Sequence, residues 1–196
     1  SYLNTIPFVY GLKHADNLRA ELSLAPPADC ARNYIEGRAD VALLPAAVVP
    51  SLTDANIITD YCIGAVGAVR TVTVMSNHPI SAVKRIWLDP HSRTSVQLCG
   101  YLAKHKWHIT PEWIAMSDYA RVDSPEEGDA FLLIGDKVFG YEGRFPYIYD
   151  LAIEWREATK LPFAFAVWVA RKGVPNEVTD ELQRALTFGV EHTWEA

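Results

Sequence analysis

Short apolar runs alternate with helical patterns along this chain, and the alternation starts twice; no other feature restricts the possible folds as much. In the first round, residues 27–36 alternate polar and apolar side chains at helical spacing and stop at Gly37, a favoured residue just past a helix. Asp40-Val41-Ala42-Leu43-Leu44-Pro45 follows as a short, continuously apolar strand of the kind a buried parallel sheet uses. Helical turns over 46–52, the run Ile57-Ile58-Thr59 and a long extended segment over 69–76 complete it. The second round begins after Pro79. It has a strand at 85–89 and a helix over 94–106 that shows Val96, Leu98, Cys99 and Leu102 on one face. Further strands are expected at 112–116 and 131–134, and a helix at 151–158. A second long apolar segment, 163–170, leads into a closing helix in which Val178, Leu182, Ala185, Leu186 and Val190 recur at helical spacing.

That order predicts an α/β protein with parallel crossovers and two lobes, one inserted in the other. The first lobe is expected to comprise 1–70 and 170–196 and the second 71–169. The crossing strands lie near 69–76 and 163–170, and the cleft between lobes is the expected ligand site. Tyr2-Leu3-Asn4-Thr5-Ile6-Pro7 reads as the end of a strand turning into a loop and a short helix, with most of that strand upstream of Ser1.

Composition removes several classes of function. A net charge of −6 with scattered Lys and Arg lacks the basic footprint of a nucleic-acid binder, so an anionic ligand must be attracted locally. The cysteines, Cys30, Cys62 and Cys99, are odd in number and form no CxxC pair, which reads as free thiols in a reducing, cytoplasmic setting. No run of about 18 apolar residues could span a bilayer. His105 and His108 have no acidic ligand at metal-site spacing, so no metal is expected, and no GxGxxG or phosphate-cradling Gly-rich loop marks a nucleotide cofactor.

The segment Asp89-Pro90-His91-Ser92-Arg93-Thr94-Ser95-Val96 carries the most chemistry. A strand ends, and hydroxyl residues lead straight into a helix whose first N–H groups and dipole favour a carboxylate or phosphate. The competing reading is simple N-capping by Ser92 or Thr94. At Leu132-Leu133-Ile134-Gly135-Asp136 an apolar strand ends in Gly-Asp: Gly135 would allow close backbone approach, and Asp136 could orient a hydroxyl or act as a base, unless the pair is an ordinary turn. Asn4 could supply an amide to a ligand oxygen or serve as a turn residue. Arg70 and Thr71, on the first crossing strand, either face the cleft or join the lobes.

Taken together, Ser1-Tyr2-Leu3-Asn4-Thr5 with Pro7, Asp40 to Pro45, Val69-Arg70-Thr71-Val72, Ser92-Arg93-Thr94-Ser95, Leu133-Ile134-Gly135-Asp136, and Leu161-Pro162-Phe163 with Phe165-Ala166-Val167-Trp168 resemble the chorismate dehydratase family of futalosine-type menaquinone biosynthesis. The resemblance implies the two-lobed fold of type II periplasmic binding proteins. It also implies a carbon–oxygen lyase that removes water from chorismate to give 3-(1-carboxyvinyloxy)benzoate. Carried over, Asn4, Thr71 and Asp136 are the catalytic candidates. Arg70, Ser92, Arg93, Thr94, Ser95 and Gly135 are the substrate-binding ones. The implied partner is a small molecule, chorismate, with no nucleic acid or membrane and with a homodimer as the candidate assembly.

Two other readings share the fold. A solute-binding protein would bind without turnover, and fold alone does not separate the two. The dihydroxynaphthoate-forming enzyme of the same pathway would open on a Ser-Pro-Cys-Pro-Asn-Asp type motif, which this sequence lacks.

Overall fold

The computed structural model describes residues 2–196. In chain order, a 3-10 turn at Leu3–Thr5 runs into α1 (Ile6–Lys13), followed by α2 (Pro27–Ile35), β1 (Val41–Pro45), a 3-10 segment Ala46–Ser51, β2 (Ala55–Ala65) and β3 (Val72–Ser76). Then come β4 (Arg85–Leu88), α3 (Thr94–Leu102) with a π turn at Ala103–Trp107, β5 (Glu112–Ala115), α4 (Ala120–Asp123) and β6 (Asp129–Ile134). A 3-10 segment Asp136–Tyr141, β7 (Tyr147–Asp150), α5 (Leu151–Thr159), β8 (Phe163–Arg171) and α6 (Asn176–Glu191) complete the chain. It divides into two compact units, Ser1–Ile63 with Ala164–Ala196 and Gly64–Phe163, so the chain passes between units within β2 and at the start of β8.

The first unit is built on a three-stranded sheet in the order β1-β8-β2. β1 and β8 are antiparallel, Val41 opposite Ala170 and Pro45 opposite Ala166, which corrects the parallel pairing expected of β1. The apolar run at 41–44 reflects burial on both faces, and burial carries no information about strand direction. Ala42, Leu44 and Val169 pack on Ala31 and Tyr34 of α2, while Val41, Leu43 and Trp168 turn to Phe8 of α1 and Leu182 and Leu186 of α6. Each fully buried large side chain among them, such as Leu44, Val169 or Leu186, stabilises the fold by roughly 1.5–3 kcal/mol. Trp168 is a core residue with its ring 6.0 Å from Phe8 in an edge-on arrangement.

Close backbone approach fixes α1 against α6. A Cβ on Gly11 would lie 1.9 Å from the Ala185 carbonyl oxygen, and one on Gly189 would lie 2.0 Å from that of Pro7. Only glycine fits at either position.

The second unit carries a five-stranded sheet ordered β5-β4-β6-β3-β7. β4 is parallel to β5 and β6, whereas β3 is antiparallel to β6 and β7. Every residue of β3 and β6 is buried, as expected of central strands covered on both faces. Met75, Phe131 and Leu133 build one core face with Met116, Val122, Val138 and Phe145, while α3 packs on β6 and α5, and α5 on β3.

At the amino ends of β4 and β6 the buried carboxylate of Asp129 accepts from Arg85 Nε at 2.7 Å, Arg121 at 2.8 Å and the Glu126 N–H at 2.9 Å. Burial pushes this carboxyl up, but the Glu126 backbone donor and the Arg85 guanidinium help to outweigh it and hold it below its ordinary value.

Residues 69–71, expected as strand, are not extended throughout. Arg70 takes a left-handed backbone, φ 62°, so β3 begins at Val72. In the opening segment Tyr2 is extended and the chain passes through the 3-10 turn into α1.

Candidate active site

One edge of the second unit's sheet gathers most of the chemistry. Leu88 is aligned with Leu132 and Ala115, Val72 with Ile134, and Thr73 with Asp150. The carboxyl ends of β4, β5, β6 and β7 therefore lie with the amino end of β3 along a common edge. In open α/β sheets ligands bind outside the carboxyl ends, where loops and helix N-termini present unpaired donors.

From β4 the chain turns at Asp89 and enters α3. The Ser92 N–H donates to the Asp89 carbonyl oxygen at 3.1 Å, closing the turn. Arg93 is the N-cap residue of α3 and its side chain makes no cap hydrogen bond, and the Ser92 hydroxyl makes none either, so capping by Ser92 does not explain this segment. Ser92, Thr94 and Ser95 are all buried, whereas Arg93 is exposed. Ser92 is 8 % exposed, and its hydroxyl has no hydrogen-bond partner among the described residues. An unsatisfied buried hydroxyl beside a helix N-terminus is suited to an anion.

From β6 the chain turns at Gly135, whose φ of 76° and ψ of −168° fall in a region essentially restricted to glycine. Its N–H donates to the Thr71 carbonyl oxygen at 2.8 Å, which joins this turn to the start of β3. Asp136 follows, half-buried, as the first residue of the 3-10 segment. Thr71 is half-buried, with its hydroxyl on the Val69 carbonyl at 3.4 Å.

Arg70 is a turn residue with a different set of partners from those expected on a cleft-facing strand. Its N–H donates to Asp150 at 2.6 Å, and its exposed guanidinium meets Glu142 at 3.0 Å and lies 5.8 Å from the centre of the Phe139 ring. Asp150 also caps α5 by accepting from the Ala152 and Ile153 N–H groups, so it both starts that helix and holds the Arg70 turn.

Thr71, Ser92, Arg93, Thr94, Ser95, Gly135 and Asp136 thus share one sheet edge, and Arg70 stands beside them with its charge on Glu142. Asn4 belongs to the first unit, where it is exposed in the 3-10 turn Leu3–Thr5. Ser1, which opens the motif containing Asn4, lies outside the described residues.

Sequence reasoning did not foresee the group beneath this edge. The Asp89 carboxylate, 1 % exposed, accepts from the His91 N–H at 3.0 Å and the Tyr119 hydroxyl at 2.9 Å on one oxygen. On the other it accepts from the Ile134 N–H at 3.0 Å and Lys137 Nζ at 2.7 Å. Lys137 Nζ also lies 4.8 Å from the centre of the Tyr119 ring.

Among the described residues no helix is long and apolar enough to cross a membrane. Solved structures share this chain's fold at low identity. Protein AF1704 of Archaeoglobus fulgidus matches with a TM-score of 0.75 at 21% identity, over 99% of this chain and 75% of its own. The GluR0 ligand-binding core, in complex with L-glutamate, matches with a TM-score of 0.60 at 8% identity, over 97% and 85%. The architecture is therefore that of the α/β periplasmic-binding-protein-like domains. In sequence the chain is 27% identical to the chorismate dehydratase of Thermus thermophilus over 201 aligned positions, 86% of this chain and 72% of that protein. The model of the menaquinone biosynthesis family matches residues 1–196, and the chain belongs to that family.

Proposed function

We propose that this protein is a lyase that dehydrates chorismate to 3-(1-carboxyvinyloxy)benzoate on the futalosine-type route to menaquinone. The observation that carries this reading is the buried, unsatisfied hydroxyl of Ser92 beside the N-terminus of α3, a place suited to an anion, in a chain similar to a chorismate dehydratase. Chorismate brings two carboxylates. One is assigned to Ser92, Thr94, Ser95 and the α3 N-terminus, with the exposed Arg93 adding charge attraction. Arg70 and Thr71 are assigned to the other end of the substrate, and Gly135 to the wall against the ring. Asn4 is assigned to the departing hydroxyl.

The reaction balances without an oxidant. The C3–H electron pair becomes the new ring π bond, the C4 hydroxyl leaves with its bonding pair, and the released proton and hydroxide make water. Aromatisation lowers the barrier, so positioning and charge stabilisation are the protein's main contributions. The enolpyruvyl carboxylate of chorismate, close to C3, takes the proton, and Asp136 orients the substrate.

Purified protein mixed with chorismate should lose the substrate's diene absorbance and yield a product lighter by one water, and Asn4→Ala should abolish that product. Asp136→Asn should retain the rate within about 10-fold; a loss of about 100-fold or more with binding intact would make Asp136 the base. Binding of chorismate without turnover would establish a solute-binding protein instead.

A further inference from the structure

Asp89 collects donors from the carboxyl ends of all three parallel strands. Its own β4 loop supplies the His91 N–H, the segment after β5 supplies the Tyr119 hydroxyl, and β6 supplies the Ile134 N–H and, beyond its end, Lys137. Its backbone is tied to β6 and to its own turn. The Asp89 N–H donates to the Leu132 carbonyl at 3.1 Å, and the Asp89 carbonyl receives the Ser92 N–H. We infer that Asp89, with Lys137 as its counter-charge, is a positioning pair that sets the Ser92–Ser95 turn against the Gly135–Asp136 turn; the inference rests on the chorismate reading of this edge.

The physical reason lies in the number and origin of the donors. A buried carboxylate with one stray donor could tilt, but four donors from separate elements fix both oxygens. Gly135 and Asp136 lie between Ile134 and Lys137, both held by the same carboxylate oxygen, so the turn they form is anchored on each side. Ser92 is three residues beyond Asp89 and is held through the Asp89 carbonyl. Displacing the carboxylate therefore moves the two halves of the anion site relative to one another. Neither Asp89 nor Lys137 need touch the substrate for this.

The test uses the full chain with Asp89→Asn, Lys137→Met and Lys137→Arg. Asp89→Asn should lower kcat/KM for chorismate by about 100-fold, the scale of an ångström-sized misplacement, with KM raised. Lys137→Met should follow it in part, and Lys137→Arg should restore most of the loss by keeping the charge. A structural role alone would reduce the active fraction at unchanged KM, and that result overturns the inference. Hydrogen exchange gives a readout free of chorismate: peptides covering 91–95 and 134–138 should exchange faster in Asp89→Asn, while those around Arg85, Arg121 and Asp129 should not. Faster exchange throughout, or at neither turn, also overturns it. If the wild type does not turn over chorismate, the proposed activity fails and hydrogen exchange alone decides this inference. Where Asp89→Asn does not fold, Lys137→Met carries both measurements.

Discussion

Ser92 carries a buried hydroxyl for which the described structure offers no partner, and this separates its effect on stability from its effect on binding. Removing an unsatisfied buried hydroxyl costs no hydrogen bond, so Ser92→Ala should unfold within about 0.5 kcal/mol of the wild type or slightly above it. The same change removes one charge-assisted contact to a substrate carboxylate, and KM for chorismate should rise by about 10-fold or more. Thermal unfolding and steady-state kinetics on one preparation test both halves. A destabilised variant with unchanged KM would mean that the hydroxyl is structural. The hydroxyl-rich turn was legible in the sequence because its residues are consecutive and lead into a helix. The role of Asp89 was not, because its donors Tyr119, Ile134 and Lys137 lie 30, 45 and 48 residues away. No local pattern marks a carboxylate that collects donors across strand ends. Arg70 was misplaced for a different reason: Val69 to Ser76 reads as one extended run, and its left-handed φ is held by a partner, Asp150, 80 residues on.

Among the elements, the α1–α6 pair depends on glycine in a way that composition does not reveal. A methyl at Gly11 or Gly189 would meet backbone carbonyls of the opposite helix, which cannot rotate aside as a side chain can. Gly11→Ala or Gly189→Ala should therefore destabilise the first unit by about 3 kcal/mol, the upper range for overpacking. Gly140→Ala, which opens onto free space, should be nearly neutral. Equal unfolding midpoints for the three variants would contradict the close approach. The helices over 94–102, 151–159 and 176–191 were legible because each buries a stripe at helical spacing, and β1, β6 and β8 because of their apolar runs at 41–45, 131–134 and 163–170. β7 was missed. Tyr147-Ile148-Tyr149-Asp150 is a short edge strand whose first residues are exposed, so no burial pattern sets it apart from the loop before it. β2 was read over three of its eleven residues, because polar Thr59 and Asp60 interrupt a strand with no fully buried position.

On the scale of the whole chain, two units with separate cores need not lose stability together, and acid should act first on the one that buries a charge. In the second unit Asp129 is fully buried as a side chain between Arg85 and Arg121, while the ion pair of Arg171 with Asp54 in the first unit leaves Asp54 substantially exposed. An exposed pair contributes little. Because the folded-state value of Asp129 lies below its ordinary 3.8, its contribution is fully present above that value and is lost as pH falls through the lower folded one. Urea midpoints should thus drop steeply below about pH 4, with Trp87, whose ring lies 5.1 Å from the Arg121 guanidinium, reporting the change by fluorescence. Asp129→Asn leaves two guanidinium groups without their shared carboxylate. It should cost roughly 3 kcal/mol at neutral pH and flatten the dependence below about pH 4. If wild type and variant showed the same acid slope, the carboxylate would not be what ties the second unit's stability to pH, and the loss would have to come from carboxylates spread over both units.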